Sequence, residues 1–301
     1  MENSKANNNL QQSLLLFFLF LLMAMLFGAM IGTSAAAGIG LASGIQLDQI
    51  MATLDEDSPL GVRNYLRAAN GVSHLFTFSI PAIAIGLYYY RNQIWKQFQL
   101  LKSPGLKVSA LSVLFIICSY PLAQTLYWIN RQLPLPNALT GMEESAEQLL
   151  KTLLVMNNPG ELLLNLLVVA VLPAIGEELI FRGLIQKRLE GSFKNAIPAI
   201  WLAAAIFSAI HLQFEGFFPR LLLGAALGYL FYWTRNLWVP ILAHFVFNGT
   251  QVLAQYFYSE EIAALEATEI DNPNWLWGVL SLAGIIFLGY IIKNTPKALT
   301  T

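Results

Sequence analysis

Apolar stretches of about twenty residues recur along this chain and restrict what it can fold into. The hydrocarbon core of a bilayer, about 30 Å thick, needs roughly 20 apolar residues in an α-helix. About eight spans are predicted, at 13–32, 72–90, 106–129, 162–184, 196–213, 217–234, 236–257 and 275–292. The predicted fold class is therefore all-α, a polytopic transmembrane helix bundle.

The composition excludes several classes of protein. Only 12% of the residues are charged, against about 25% in soluble domains, so the polar side chains cannot cover a water-facing surface. A disordered chain is excluded for the same reason, and a net charge of −1 offers no basic face for nucleic acid. The single Cys118 excludes an internal disulfide and a multi-cysteine metal site. Membrane lipid is the expected surrounding, and without a eukaryotic targeting signal we expect a bacterial inner membrane.

The charges between the spans predict the orientation, because short cytoplasmic loops collect Lys and Arg. With the N-terminus inside, the outer segments hold only Arg63, Arg67, Arg131 and Lys151. The inner segments then hold Lys5, Arg91, Lys96, Lys102, Lys107, Lys187, Arg188, Lys194, Arg235, Lys293 and Lys297. Both chain ends are therefore predicted to be cytoplasmic.

Three regions are predicted. Residues 1–158 form an N-terminal membrane region of three spans, the first of which is expected to be an uncleaved anchor because it is longer than a signal-peptide core. Residues 159–257 form a four-span core, and 258–301 form a last span and tail. An amphipathic outer helix at 143–156 either lies on the membrane surface or packs over the outer end of the bundle.

The fourth span carries charges that membranes tolerate poorly. Glu178 and Arg182 are four residues apart and can pair on one helix face, which gives them a structural role. Glu177 points about 100° away from Glu178 and has no charged partner on its own helix. It must therefore face the bundle interior and find a partner on another helix. Glu161 and Arg220 lie near span ends, where they are expected to snorkel to the interface without a chemical role.

The three histidines are the candidate partners. His211 ends the fifth span, and His244 shares a face of the seventh span with Asn248. His74, at the outer mouth of the second span, is interpreted as an interfacial side chain with a structural hydrogen bond between helices.

These side chains support two kinds of chemistry. A carboxylate and a neutral imidazole can polarise a water, while a second histidine and an asparagine donate hydrogen bonds to an oxyanion, as amide hydrolysis requires. Alternatively, Glu177, His211 and His244 are three ligands of one divalent metal such as zinc, with a fourth position open to water. The residue types do not choose between these alternatives. No Gly-x-Ser-x-Gly elbow occurs, and Cys118 has no neighbouring histidine, so neither supplies a covalent nucleophile.

Three motifs on successive spans resemble a known family. They are Glu177-Glu178-x-x-x-Arg182, Phe207-x-x-x-His211 and His244-x-x-x-Asn248. Together they resemble the CAAX prenyl protease and bacteriocin-processing family (CPBP or Abi) of intramembrane proteases, over about 160–255. The resemblance implies that the Glu178–Arg182 pair holds the architecture of the site.

The resemblance also implies roles for the remaining motif residues. Glu177 and His211 would activate the attacking water, and His244 and Asn248 would stabilise the oxyanion. The implied activity is an endopeptidase acting on a peptide bond in a membrane-associated or C-terminally lipidated protein or peptide. Members of the family have been described both as metalloproteases and as metal-free glutamate proteases, so the resemblance leaves the metal open.

Two other functions stay open at this point. One is a non-catalytic peptide-binding or immunity-type membrane protein of the same fold. The other is a proton-coupled transporter, because buried glutamates and histidines also build proton relays. Against a transporter, the polar groups gather at one locus and the sequence shows no internal repeat.

Overall fold

The computed structural model describes residues 2–45, 54–55, 57–134, 137–262 and 273–295. Within these ranges the chain is helical and contains no β-strand, which confirms the all-α fold class. Lys297 and the segment 263–272 of the predicted C-terminal region lie outside the described residues.

Each predicted span coincides with a helix. The helices are α1 (Glu2–Ala42), α2 (Leu60–Gln97), α3 (Leu106–Arg131), α4 (Asn137–Leu154), α5 (Pro159–Phe193), α6 (Ala196–Ala209), α7 (Phe217–Thr234), α8 (Trp238–Phe257) and α9 (Trp275–Asn294). Among the described helices, α1, α2, α3, α5 and α9 are long and apolar enough to cross a membrane, and α6 is a shorter apolar helix. The chain is an integral membrane protein; eight crossings and cytoplasmic ends remain predictions.

The periphery of the bundle exposes large apolar side chains. Leu26 of α1 and Phe287 of α9 are 61% and 63% exposed, and many neighbours on the same two helices are exposed in the same way. Contiguous apolar surface of this extent is unfavourable in water and matches contact with lipid tails.

Helix α5 forms the centre of the bundle. It packs against α2, α6, α7 and α8, and all its residues from Leu179 to Gln186 are buried. A helix that is buried on every side cannot show an amphipathic stripe. Its charged side chains therefore lie among other helices rather than towards lipid.

Three helical segments have the wider π-helical hydrogen bonding, at Leu75–Ser79 in α2 and at Leu166–Val171 and Leu179–Gln186 in α5. Such turns are frequent at functional sites. The first follows His74 directly and the last follows Glu178 directly. Both polar positions thus border backbone whose regular α-helical pattern is interrupted.

The second span begins earlier than predicted, at Leu60 rather than near residue 72. The apolar pattern misses this part because its first turns contain Arg63 and Arg67. Both arginines are buried and pair with Glu161 of α5, at 3.0 and 2.9 Å. The prediction that Glu161 snorkels to the interface was therefore wrong: its carboxylate is enclosed by two cations from α2.

The amphipathic helix α4 packs on the bundle, which is the second of its two predicted placements. Its Leu153 is buried, and the Leu153 carbonyl accepts a hydrogen bond from Arg67 Nε at 3.2 Å. At its other end Glu143 accepts a hydrogen bond from the backbone N–H of Phe214 at 2.8 Å. Helix α4 thus connects α2 to the loop between α6 and α7.

Candidate active site

Glu177 lies near the middle of α5, and its side chain is almost completely buried. Its Oε1 atom is 3.2 Å from His74 Nε2, and its Oε2 atom is 3.9 Å from His244 Nε2. The carboxylate thus finds its partners on α2 and α8 rather than on its own helix, as the sequence predicted. An ionised carboxylate can only accept, so the shorter contact is a hydrogen bond donated by His74 Nε2–H.

His74 lies further from the start of its helix than predicted. Because α2 starts at Leu60, His74 lies about 21 Å along the helix rather than at its mouth. Gly176 lets α5 approach closely at this point, since a Cβ there would stand 2.9 Å from His74 Cε1. The imidazole also stacks on Phe78, with ring centroids 4.6 Å apart. Its contact with Glu177 is the expected hydrogen bond between helices, but its partner is the candidate catalytic acid.

Glu178 pairs with Arg182 on its own helix and also links α5 to His244 on α8. Its Oε1 atom accepts hydrogen bonds from Arg182 at 2.8 Å and from His244 Nδ1 at 2.9 Å. All three side chains are buried. Arg182 in turn donates to the backbone carbonyl of Gly224 on α7. The Glu178–Arg182 pair predicted from the spacing is present, and it also holds His244.

This arrangement fixes the tautomer of His244. Glu178 Oε1 accepts from Arg182 and serves as the acceptor here too, so the hydrogen of this contact is assigned to His244 Nδ1. A neutral imidazole protonated on Nδ1 has an unprotonated Nε2, which is an acceptor. In the neutral form, Nε2 is therefore an acceptor that lies 3.9 Å from Glu177 Oε2.

His211 lies in the turn that follows α6, two residues after the end of the helix. Its Nδ1 hydrogen bonds to the carbonyl of Phe207 at 2.7 Å. The Phe207 ring lies 5.1 Å from the His211 ring and 6.0 Å from the His244 ring, measured between centroids. His211 is also near enough to Glu177 for an electrostatic interaction. The structure therefore brings His211 to the same locus, without a direct hydrogen bond to the carboxylate.

Asn248 faces α5 on the same side of α8 as His244, as their spacing predicts. Its Nδ2 donates to the carbonyl of Val169 at 3.0 Å. Val169 belongs to the π-helical segment Leu166–Val171. The side-chain amide has a second N–H, which this bond does not use.

The metal alternative requires three ligands around one point. Within the described ranges, no group of three His, Cys, Asp or Glu side chains could hold a metal ion. The two shortest contacts, His74 with Glu177 and His244 with Glu178, are already hydrogen bonds. Because the described side chains show no such ligand group, no step of the proposed mechanism is assigned to a metal ion.

Residues 159–250 match the family model described as "Type II CAAX prenyl endopeptidase Rce1-like". This part of the chain is similar to the Rce1-like family of CAAX-type proteases. The Rce1-like segment begins at the first residue of α5 and ends within α8. It includes the seven motif residues singled out from the sequence and leaves out His74.

A relative from Bacillus subtilis (strain 168), "Uncharacterized protein YpbD", is 30% identical over 89 residues. The aligned part is 28% of this chain and 42% of the relative, so the match spans less than half of either protein. No solved structure matches the chain.

His74 is a residue of the site that sequence reasoning did not assign to it. It lies on α2, outside the Rce1-like segment, and belongs to none of the three motifs. The only signal in the sequence was that the chain has three histidines. Recognising it required knowing which face of α2 meets α5 at Gly176.

Proposed function

We propose that the protein is an intramembrane endopeptidase that hydrolyses a peptide bond with a water activated by Glu177 and histidine. The observation that carries this proposal is the buried Glu177 carboxylate, which lies between His74 on one side and His244 on the other. The family match supports the reaction class. The substrate class we propose is a membrane-associated or C-terminally lipidated protein or peptide, in a bacterial inner membrane.

The gap between Glu177 and His244 suits a water. Two polar atoms 3.9 Å apart cannot hydrogen bond directly, but a water in contact with both would make two bonds of ordinary length. Glu177 Oε2 and His244 Nε2 are both acceptors in the tautomer derived above. Such a water therefore directs both hydrogens at the protein and a lone pair outward, as a nucleophile must.

Hydrolysis then proceeds in two steps. The water oxygen bonds to the carbonyl carbon while Glu177 takes its proton, and the carbonyl π electrons move to oxygen. The second N–H of Asn248 stabilises this oxyanion. When the intermediate collapses, the C–N bond breaks and Glu177 gives its proton to the leaving amine. His211, with Nε2 unprotonated, is available as a second acceptor beside Glu177.

This scheme changes one role implied by the family resemblance. A His244 that is neutral and protonated on Nδ1 is placed to accept from the water at Nε2. It becomes a donor to the oxyanion only after it has gained a proton. We therefore assign His244 to water activation and leave the first stabilisation of the oxyanion to Asn248.

The test is cleavage of a fluorogenic peptide with a C-terminal CAAX sequence, farnesylated or unmodified, in proteoliposomes. Glu177→Gln and His244→Ala are each expected to abolish cleavage, because the base or the second acceptor of the water is lost. Glu147→Gln, at an exposed glutamate of α4, is the matched control and should cleave like wild type. Retained cleavage in both site variants would refute the mechanism.

The same preparation separates the other functions. Binding of the peptide with no cleavage by wild type would favour the peptide-binding or immunity-type protein. Proton-dependent uptake into the liposomes would favour the transporter. Metal analysis of the purified protein, beside the cleavage assay, tests the zinc alternative.

A further inference from the structure

His74 contributes to the site from outside the Rce1-like segment. Its ring is one-tenth exposed and its Nε2 lies 3.2 Å from Glu177 Oε1. The other oxygen of the Glu177 carboxylate, Oε2, lies 3.9 Å from His244 Nε2. His74 therefore hydrogen bonds to Oε1, and Oε2 stays available to the proposed water between Glu177 and His244.

The surroundings of His74 fix its ring rather than leave it free. Phe78 stacks on one face with an interplanar angle of 21°. Gly176 brings the backbone of α5 against the ring edge, where an added Cβ would stand 2.9 Å from Cε1. In the described part of the chain, the buried Nδ1 atom has no hydrogen-bond partner. The hydrogen bond to Glu177 is thus the polar contact that this imidazole makes.

A carboxylate without this bond would be free to rotate. The Glu177 side chain has three rotatable bonds, and in the described residues its oxygens contact only His74 within hydrogen-bond distance. Loss of that contact lets the oxygens turn relative to His244. Misplacement of a catalytic group by about 1 Å can lower the rate by about 100-fold.

We propose that His74 is a positioning residue of the active site: its Nε2–H orients the Glu177 carboxylate so that Oε2 faces His244. The inference rests on the proposed function and extends it, because it makes the N-terminal membrane region part of the catalytic unit. It predicts that residues 159–257 alone do not form a complete site.

The test uses two amide side chains of different reach. Glutamine places its N–H where His74 Nε2–H lies, whereas asparagine is shorter and imitates Nδ1. We expect His74→Gln to keep kcat within about threefold of wild type. His74→Asn and His74→Phe should lower kcat by about 10- to 100-fold with KM unchanged, because positioning is lost and substrate binding is not. Thr77→Val is the control, since the Thr77 hydroxyl donates to the Ser73 carbonyl of its own helix.

The kcat values of the three variants can support the positioning role of His74 or overturn it. Equal kcat values in the glutamine and asparagine variants, or a wild-type kcat in the phenylalanine variant, would overturn it. A purely structural His74 would change the yield and the Tm of these variants and leave no difference in kcat between the two amides.

A second measurement separates this inference from the proposed function. Thermal unfolding in detergent, in a double-mutant cycle of His74→Phe with Glu177→Met, reports the contact even if no peptide is cleaved. His74→Phe should lower the Tm when Glu177 is present and not when Met replaces it. Equal losses in both backgrounds would refute the contact. If the wild type cleaves no peptide but the Tm values show coupling between His74 and Glu177, only the proposal of an endopeptidase is refuted.

Discussion

Gly176→Ala is expected to break the hydrogen bond between His74 of α2 and the catalytic acid Glu177 without replacing any polar side chain. An added Cβ would stand 2.7 Å from Ser79 Oγ, 2.9 Å from His74 Cε1 and 3.1 Å from Phe78 Cβ. All three atoms belong to α2, and ordinary contacts between such atoms are about 3.5 Å or longer. Helix α2 or its side chains must therefore retreat by roughly 0.6 Å.

The size of this retreat determines the expected effect on the rate. The hydrogen bond between His74 and Glu177 is 3.2 Å long, and a displacement of about 0.6 Å stretches it beyond hydrogen-bond length. We therefore expect kcat to fall by about tenfold or more with KM unchanged. Overpacking costs about 1–3 kcal/mol, and the better helix propensity of alanine offsets about 1 kcal/mol of that. The variant should thus remain folded.

The assay combines kcat and KM for the CAAX peptide with the Tm in detergent. Gly249→Ala is the matched control, because a Cβ there would meet nothing closer than Leu166 at 3.8 Å. This control should keep wild-type kcat and gain up to about 1 kcal/mol in stability. A Gly176→Ala enzyme with wild-type kcat, or a control that loses as much as the test variant, would refute the reasoning.

Two buried glutamates that pair with arginines give further predictions. Glu178→Gln leaves a buried guanidinium without its counter-ion and loosens the tautomer of His244, so both the Tm and kcat should fall, the stability by about 3–5 kcal/mol. A variant that loses only one of the two would contradict the double role of Glu178. Glu161→Gln removes the partner of two buried arginines far along α5 from Glu177; a loss of similar size in stability is expected, with kcat of the folded enzyme unchanged. A selective loss of kcat in that variant would show that Glu161 belongs to the site.

Much of the site was predictable because its motifs are local. Glu178 and Arg182 pair because four residues bring two side chains together on any helix. The same geometry turns Glu177 away from that pair, so its need for an outside partner follows from the sequence. His244 and Asn248 face α5 together for the same reason.

Contacts between helices were not predictable in the same way. The bond from His244 to Glu178 depends on how α8 is rotated against α5. The contact of His74 with Glu177 depends on a glycine that lets two backbones approach. The burial of Glu161 depends on cations from α2 that the apolar pattern placed outside a span. None of these relations leaves a periodic signal in one chain.

Apolar segment lengths and helical periodicity are enough to establish that the chain is a bundle of apolar helices and that Glu177 could not be neutralised on its own helix. Both conclusions follow from solvation and from 3.6 residues per turn, which act within one segment. The packing of the helices selects which imidazoles contact Glu177 and which nitrogen of His244 faces it. That choice depends on the distance and rotation between helices, which small residues and close packing set.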